Sequence, residues 1–129
     1  MRELKFRVWD KRYKRYVKPY AVCVDGRVIV ITEPSNDLET LDSERVIIEQ
    51  YTGLKDKNGK EIYEGDIVKC GTLEGCPAGV IVYRTEDGCY EVDDPLHTFG
   101  GEHFGELYAN RMEVIGNIHE NQESLKEKE

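Results

Sequence analysis

The sequence predicts a mainly β protein, with an N-terminal β-hairpin region over residues 1–50 and a C-terminal small β-barrel over residues 51–119. Three observations predict it. Short β-branched and aromatic runs recur along the chain. Glycine-bearing turn signals separate them, at Asp25-Gly26, Asn58-Gly59 and Thr85-Glu86-Asp87-Gly88. No stretch carries a long amphipathic period of 3.6 residues. Roughly seven to nine strands are expected, closed or nearly closed, because a long free edge invites aggregation.

The elements follow in order. Leu4, Phe6 and Val8 alternate with Lys5, Arg7 and Trp9, the period of a half-buried strand. Trp9 falls on the polar face, so both faces of this strand are expected to be covered. Lys11 to Arg15 is polar and turn-like. Tyr20-Ala-Val-Cys-Val24 and Arg27-Val-Ile-Val-Ile31 flank Asp25-Gly26, which predicts a hairpin with a type I′ turn. Pro34, Ser35, Asn36 and Asp37 mark a loop. A short helix from Leu38, capped by Asp37, is the expectation after it. Arg45 to Thr52 reads as a strand, and the boundary between the two regions falls near Gln50 to Gly53.

Asn58-Gly59 predicts a second type I′ turn. Glu64-Gly65-Asp66 is a tight turn that launches the strand Ile67-Val-Lys-Cys70. A Gly-Asp turn feeding a short strand is how many SH3-like barrels open, an analogy at the level of fold. Val80 to Arg84 and Cys89 to Val92 form a third hairpin, with Gly88 suited to a left-handed position. Met112 to His119 is the last strand. Residues 120–129 are a charged tail, expected to fray.

Composition excludes several classes. The 129 residues carry 18 Lys+Arg and 26 Asp+Glu, a net charge of -8. The longest apolar runs are Tyr20–Val24, Val28–Ile31 and Val80–Tyr83. A membrane span needs about 20 such residues, so no membrane association is expected. No apolar segment follows the basic start, so a secretory signal is not expected either, and the cytoplasm is the expected location. Cys23, Cys70, Cys76 and Cys89 would then be free thiols. Charge is uneven: residues 1–20 hold eight bases and two acids, the other 109 hold ten bases and twenty-four acids. Such an arm fits nucleic acid, or a neighbouring copy's acidic face.

Three stretches carry a resemblance. They are Lys5-Phe6-Arg7-Val8-Trp9-Asp10, the run from Gln50 through Tyr51-Thr52-Gly53-Leu54 and Asn58-Gly59-Lys60-Glu61-Ile62-Tyr63-Glu64-Gly65-Asp66 to Val68, and Val114-Ile115-Gly116-Asn117-Ile118-His119-Glu120-Asn121. In that order they resemble the YopX family of bacteriophage and prophage proteins, mostly from Gram-positive bacteria. The resemblance implies an SH3-like barrel in the C-terminal part and assembly as a homo-oligomer. It brings no catalytic or binding residue to any position. Residues 11–49 and 71–110 carry none of it.

Candidate sites come from the residues. Arg12, Tyr13, Lys14, Arg15, Tyr16 and Lys18 interleave bases with aromatics, a pattern that neutralises phosphates and stacks on bases. The acidic chain, with its pI of about 5.0, argues against it. The plainer reading is a solvated hairpin tip or an oligomer contact. Asp93, Asp94, His97, Glu102 and His103 are metal-ligand types within eleven residues. No pair among them has helical His-Glu-x-x-His spacing, so a polar surface loop is the plainer reading. Cys70 and Cys76 are too far apart for a zinc knuckle. Nothing local activates Cys76 toward His97 or His103, and no phosphate-binding glycine loop is present.

The chain therefore reads as a non-enzymatic, cofactor-free, homo-oligomeric protein-interaction module of a phage, in the cytoplasm of its host. Its partner is a second copy, or a host or phage protein held by the loops at 71–79 and 93–105. The alternatives are a nucleic-acid-binding protein using the basic arm, and a metal-dependent enzyme at the 93–103 loop.

Overall fold

The computed structural model describes residues 3–70, 78–93, 105 and 109–121. Every regular element among them is a strand, and there are eleven, all paired antiparallel. They divide into two compact units, Leu4–Gln50 and the part from Tyr51 onward. Each has its own apolar cluster.

The first unit begins with β1 (Phe6–Asp10) and β2 (Arg15–Val17), a hairpin in which Val8 faces Val17 and Trp9 faces Tyr16. The other edge of β1 pairs with the start of β6 (Val46–Lys55), Val8 opposite Ile48. The second sheet is β3 (Ala21–Val22), β4 (Val28–Thr32) and β5 (Asp37–Leu41), with β4 central. Val8, Val28, Val30, Leu41 and Val46 form the core. Alternation explains it: Val28 and Val30 point inward from β4 and Ile31 outward. Trp9 is buried as well as Val8. Its ring meets Tyr16 edge-on at 5.0 Å, so β1 is covered on both faces.

The second unit runs from the far half of β6 through β7 (Glu61–Tyr63), β8 (Asp66–Cys70), β9 (Gly79–Arg84) and β10 (Cys89–Asp93) to β11 (Met112–Asn117). Strands β10-β9-β8-β11 form one sheet. Its core is Ile62, Val68, Ile81, Val92, Ala109 and Met112.

Two expectations are corrected. No helix starts at Leu38. Asn36 takes a positive φ of 62° and donates its amide to Thr32. The chain therefore turns back, and Asp37–Leu41 zips onto β4 as β5. Nor are the turns at Asp25-Gly26 and Asn58-Gly59 of type I′, which needs positive φ at both central residues. Gly26 (89°) and Gly59 (83°) have it, but Asp25 and Asn58 do not. In each loop the glycine amide donates to the carbonyl three residues back, Cys23 or Asp56. That is a three-residue loop closed by a left-handed glycine. Gly88 takes the left-handed position expected of it, at 65°.

Two buried carboxylates tie these short strands together. Asp10 receives Arg45 in a two-pronged ion pair, Nε and Nη2 both at 2.9 Å, and the Arg12 amide at 3.0 Å. Asp56 accepts the amides of Asn58 (2.8 Å) and Lys60 (2.9 Å) on one oxygen and that of Val114 (3.0 Å) on the other. It thereby fastens the 57–59 loop to β11. The Lys57 amide adds a bond to the Met112 carbonyl at 2.9 Å.

Asp56→Asn puts an amide NH2 against one of those donors, and is expected to cost about 1–3 kcal/mol of stability in urea titration. Ile81→Ala opens a cavity in the second core and should cost about 2–5 kcal/mol. The pH dependence follows from the same carboxylates. The Arg45 hydrogen bond holds the Asp10 carboxyl below its ordinary 3.8, against burial and with help from the Arg12 amide. Burial pushes Asp56 up, but the amides of Val114, Lys60 and Asn58 outweigh it and leave it below 3.8 as well. A folded-state pKa below the unfolded one stabilises fully above the unfolded value and fades as pH falls through the folded value. Stability should hold steady from pH 7 to about 5 and fall below about 4, less steeply in Asp56→Asn.

Candidate functional site

The sequence placed its first candidate on the basic arm, and the structure splits those six residues. Lys11–Lys14 form the turn of the β1–β2 hairpin. Lys14 sits at φ 53°, a left-handed conformation that a lysine rarely adopts. Tyr13 projects beside it, 58% exposed. The guanidinium carbons of Arg12, Arg15 and Arg45 lie 5.5, 5.5 and 5.3 Å from the Tyr13 ring centre. This is cation–π distance. Tyr16 belongs to the body of the sheet instead. Its hydroxyl donates to Glu49 at 2.9 Å, and Arg7 lies 4.6 Å over its ring. It is therefore not available for stacking on a ligand. Lys18 is exposed just beyond β2.

The anchoring is local. Arg45 reaches Tyr13 because Asp10 fixes its guanidinium, and Arg12 is held because Asp10 takes its amide. Among the described residues none of Lys11, Arg12, Lys14, Arg15 and Lys18 makes an ion pair, whereas Arg7, Arg27, Arg45 and Arg84 each meet a carboxylate. An open depression of about 410 Å³ beside the tip is lined by Lys11, Arg12 and Arg45 and by Asp42 and Glu44. A groove of about 490 Å³ has Arg15 and Lys18 among its lining, together with Glu33, Glu39 and the apolar Val17, Val30 and Leu41.

Glu49, which the sequence left unremarked, is 3% exposed and accepts Arg7 Nε at 2.7 Å. Its alternation with Ile48 in β6 was the signal: an acid on the face opposite the core, beneath a strand that carries Arg7.

A second surface is apolar. Ile31 and Leu38 face each other across β4 and β5 on the outward side of the sheet, 45% and 61% exposed. Tyr20 and Val24 are exposed on the same three-stranded segment. Strand β5 lies at the edge of its sheet, and so does β2.

Of the metal candidates, Asp93 ends β10, exposed and 3.7 Å from Arg84. Asp94, His97, Glu102 and His103 lie outside the described residues, as does Cys76. The structure gathers a different group, Asp87, Cys89 and Glu91, with ligand atoms within 4.8 Å of one another. Cys89 and Glu91 share one face of β10 and Asp87 lies in the turn before it, so their spacing of two was the legible signal. Arg84 already holds Glu91, at 3.2 Å. Burial, then the charges of Glu91 and Asp87, push the Cys89 thiol up. Cys23 and Cys89 are both free.

The model of the YopX protein family matches residues 5–126. The chain belongs to the YopX family. No curated protein matches it. Among solved structures it is similar to protein EF1440 from Enterococcus faecalis, at 29% identity and a TM-score of 0.67, over 97% of this chain and 99% of that one. The family match runs through the basic hairpin, the acidic β5 and the core strands alike. Among the described residues no helix is long and apolar enough to cross a membrane.

A raised thiol pKa means less thiolate at neutral pH. Cys89 should therefore react with iodoacetamide more slowly than a free thiol at pH 7.5. Peptide mass spectrometry across pH should show its rate rising at a higher pH than a model thiol's.

Proposed function

We propose that this YopX-family chain is a non-enzymatic, homo-oligomeric interaction module of a phage or prophage, working in the cytoplasm of the host cell. Its partner is a second copy, and its C-terminal unit is an SH3-like barrel. The barrel reading is supported by four antiparallel strands in the order β10-β9-β8-β11 and by their single apolar cluster.

The observation that carries the oligomer is the outward face of β4 and β5. Ile31 and Leu38 lie side by side in solvent on a small sheet with an open edge. An apolar pair left out of its own core gains by meeting another.

Multi-angle light scattering at tens of micromolar should give a whole multiple of 14.9 kDa. Ile31→Glu with Leu38→Lys should reduce it to the monomer mass while the circular dichroism spectrum is kept. A wild-type monomer at that concentration overturns the reading.

A further inference from the structure

We infer that the β1–β2 hairpin turn is a binding site for the phosphate backbone of nucleic acid, held by charge and without readout of bases. The site is Arg12, Lys14 and Arg15, flanked by Lys18 and organised by Tyr13. It does not depend on the oligomer.

This chain has an excess of acids, and Arg7, Arg27, Arg45 and Arg84 each meet a carboxylate. Arg12, Lys14, Arg15 and Lys18 make no ion pair among the described residues. Instead the Tyr13 ring draws Arg12 and Arg15 together, each 5.5 Å from its centre, so the two guanidinium carbons are at most 11 Å apart. Like charges gathered this way repel unless an anion arrives. Lys14 adds a third cation at the turn, in a left-handed conformation where glycine would be cheaper.

A duplex carries one negative charge per about 1.7 Å of axis, so about six phosphates fall within 11 Å. Guanidinium groups also bind phosphate through two parallel hydrogen bonds.

The Tyr13 ring already carries guanidinium groups, and Tyr16 is engaged with Glu49 and Arg7. Neither ring is free to stack on a base, so recognition is independent of sequence. Asp42 and Glu44 border the Lys11 and Arg12 side of the tip. Glu33 and Glu39 line the groove that holds Arg15 and Lys18, and Lys14 lines neither depression, so the phosphates approach across the turn at Lys14.

The test is fluorescence anisotropy of a labelled 20-base-pair duplex of arbitrary sequence, titrated with the full chain across NaCl concentrations. Four cations predict a slope of log K against log salt of about -3 to -4, and about a hundredfold loss of affinity between 50 and 200 mM salt. Two unrelated duplexes should bind equally. Arg12→Glu/Lys14→Glu/Arg15→Glu should abolish binding with its urea midpoint near wild type, because all three residues are exposed. Arg12→Lys/Arg15→Lys should keep most of it, and Lys55→Glu/Lys60→Glu should leave it unchanged. Light scattering of the charge-reversed variant reports the oligomer separately. No binding at 50 mM salt, binding indifferent to salt, or binding kept after charge reversal would each overturn the inference. So would polyglutamate competing as well as unlabelled duplex, which assigns the tip to acidic protein segments.

Discussion

A carboxylate buried at the end of β1 organises the first unit. Asp10 has no water to turn to, so its oxygens must find donors in the protein. It finds the Arg45 guanidinium and the Arg12 amide. These contacts join the start of β6 to the β1–β2 turn across a long stretch of sequence. The Lys11 amide bonds to the Arg45 carbonyl alongside them. Asp56 plays the same part in the second unit, where one side chain satisfies three amides from a loop and a distant strand. Every strand but β6 has only two to six residues and buries little. Carboxylates that bridge turns supply the order that longer strands would get from their ladders.

That scaffold decides what the surface can do. Because Asp10 fixes Arg45, the Arg45 guanidinium is available to the Tyr13 ring, and Tyr13 in turn collects Arg12 and Arg15. The basic tip is thus built on a buried acid. The same arrangement takes Arg45 out of any ligand's reach as a free charge, since Asp10 already neutralises it. Tyr16 is withdrawn too, by Glu49. What is left outward is a compact set of cations on one hairpin, and an apolar pair on a different sheet of the same unit. They suit different partners, one a dense anion and the other an apolar surface.

Much of this was legible. The turns at Asp25-Gly26, Asn58-Gly59 and Thr85 to Gly88 follow from glycines between short β runs, and each joins a pair of antiparallel strands in the structure. Turn class was misread because Asp-Gly and Asn-Gly fit two geometries. The choice between them rests on the φ of Asp25 and Asn58, which depends on the strands around them. The segment after Asn36 was misread for a related reason. Asp37 before Leu38 is a fair helix start in isolation, but the ladder to β4 offers five residue pairs that a helix would forgo. The Asp87, Cys89 and Glu91 group was visible as period 2, yet only the folded strand shows Arg84 already occupying Glu91.

The sequence by itself determined the β class, the family and the charge division. Each depends on residue type and near neighbours, which the chain carries locally. Tertiary structure alone decided which polar groups are spent inside the molecule and which remain for a partner. Glu49, Asp10 and Arg45 are polar and unremarkable in sequence and Tyr16 is a stacking candidate there, and only their distant contacts remove them from the surface. The separation of Tyr13 from Tyr16 is the sharpest case. Three residues apart in one basic run, they lie on opposite sides of that division, because one sits in a turn and the other in a strand opposite Trp9.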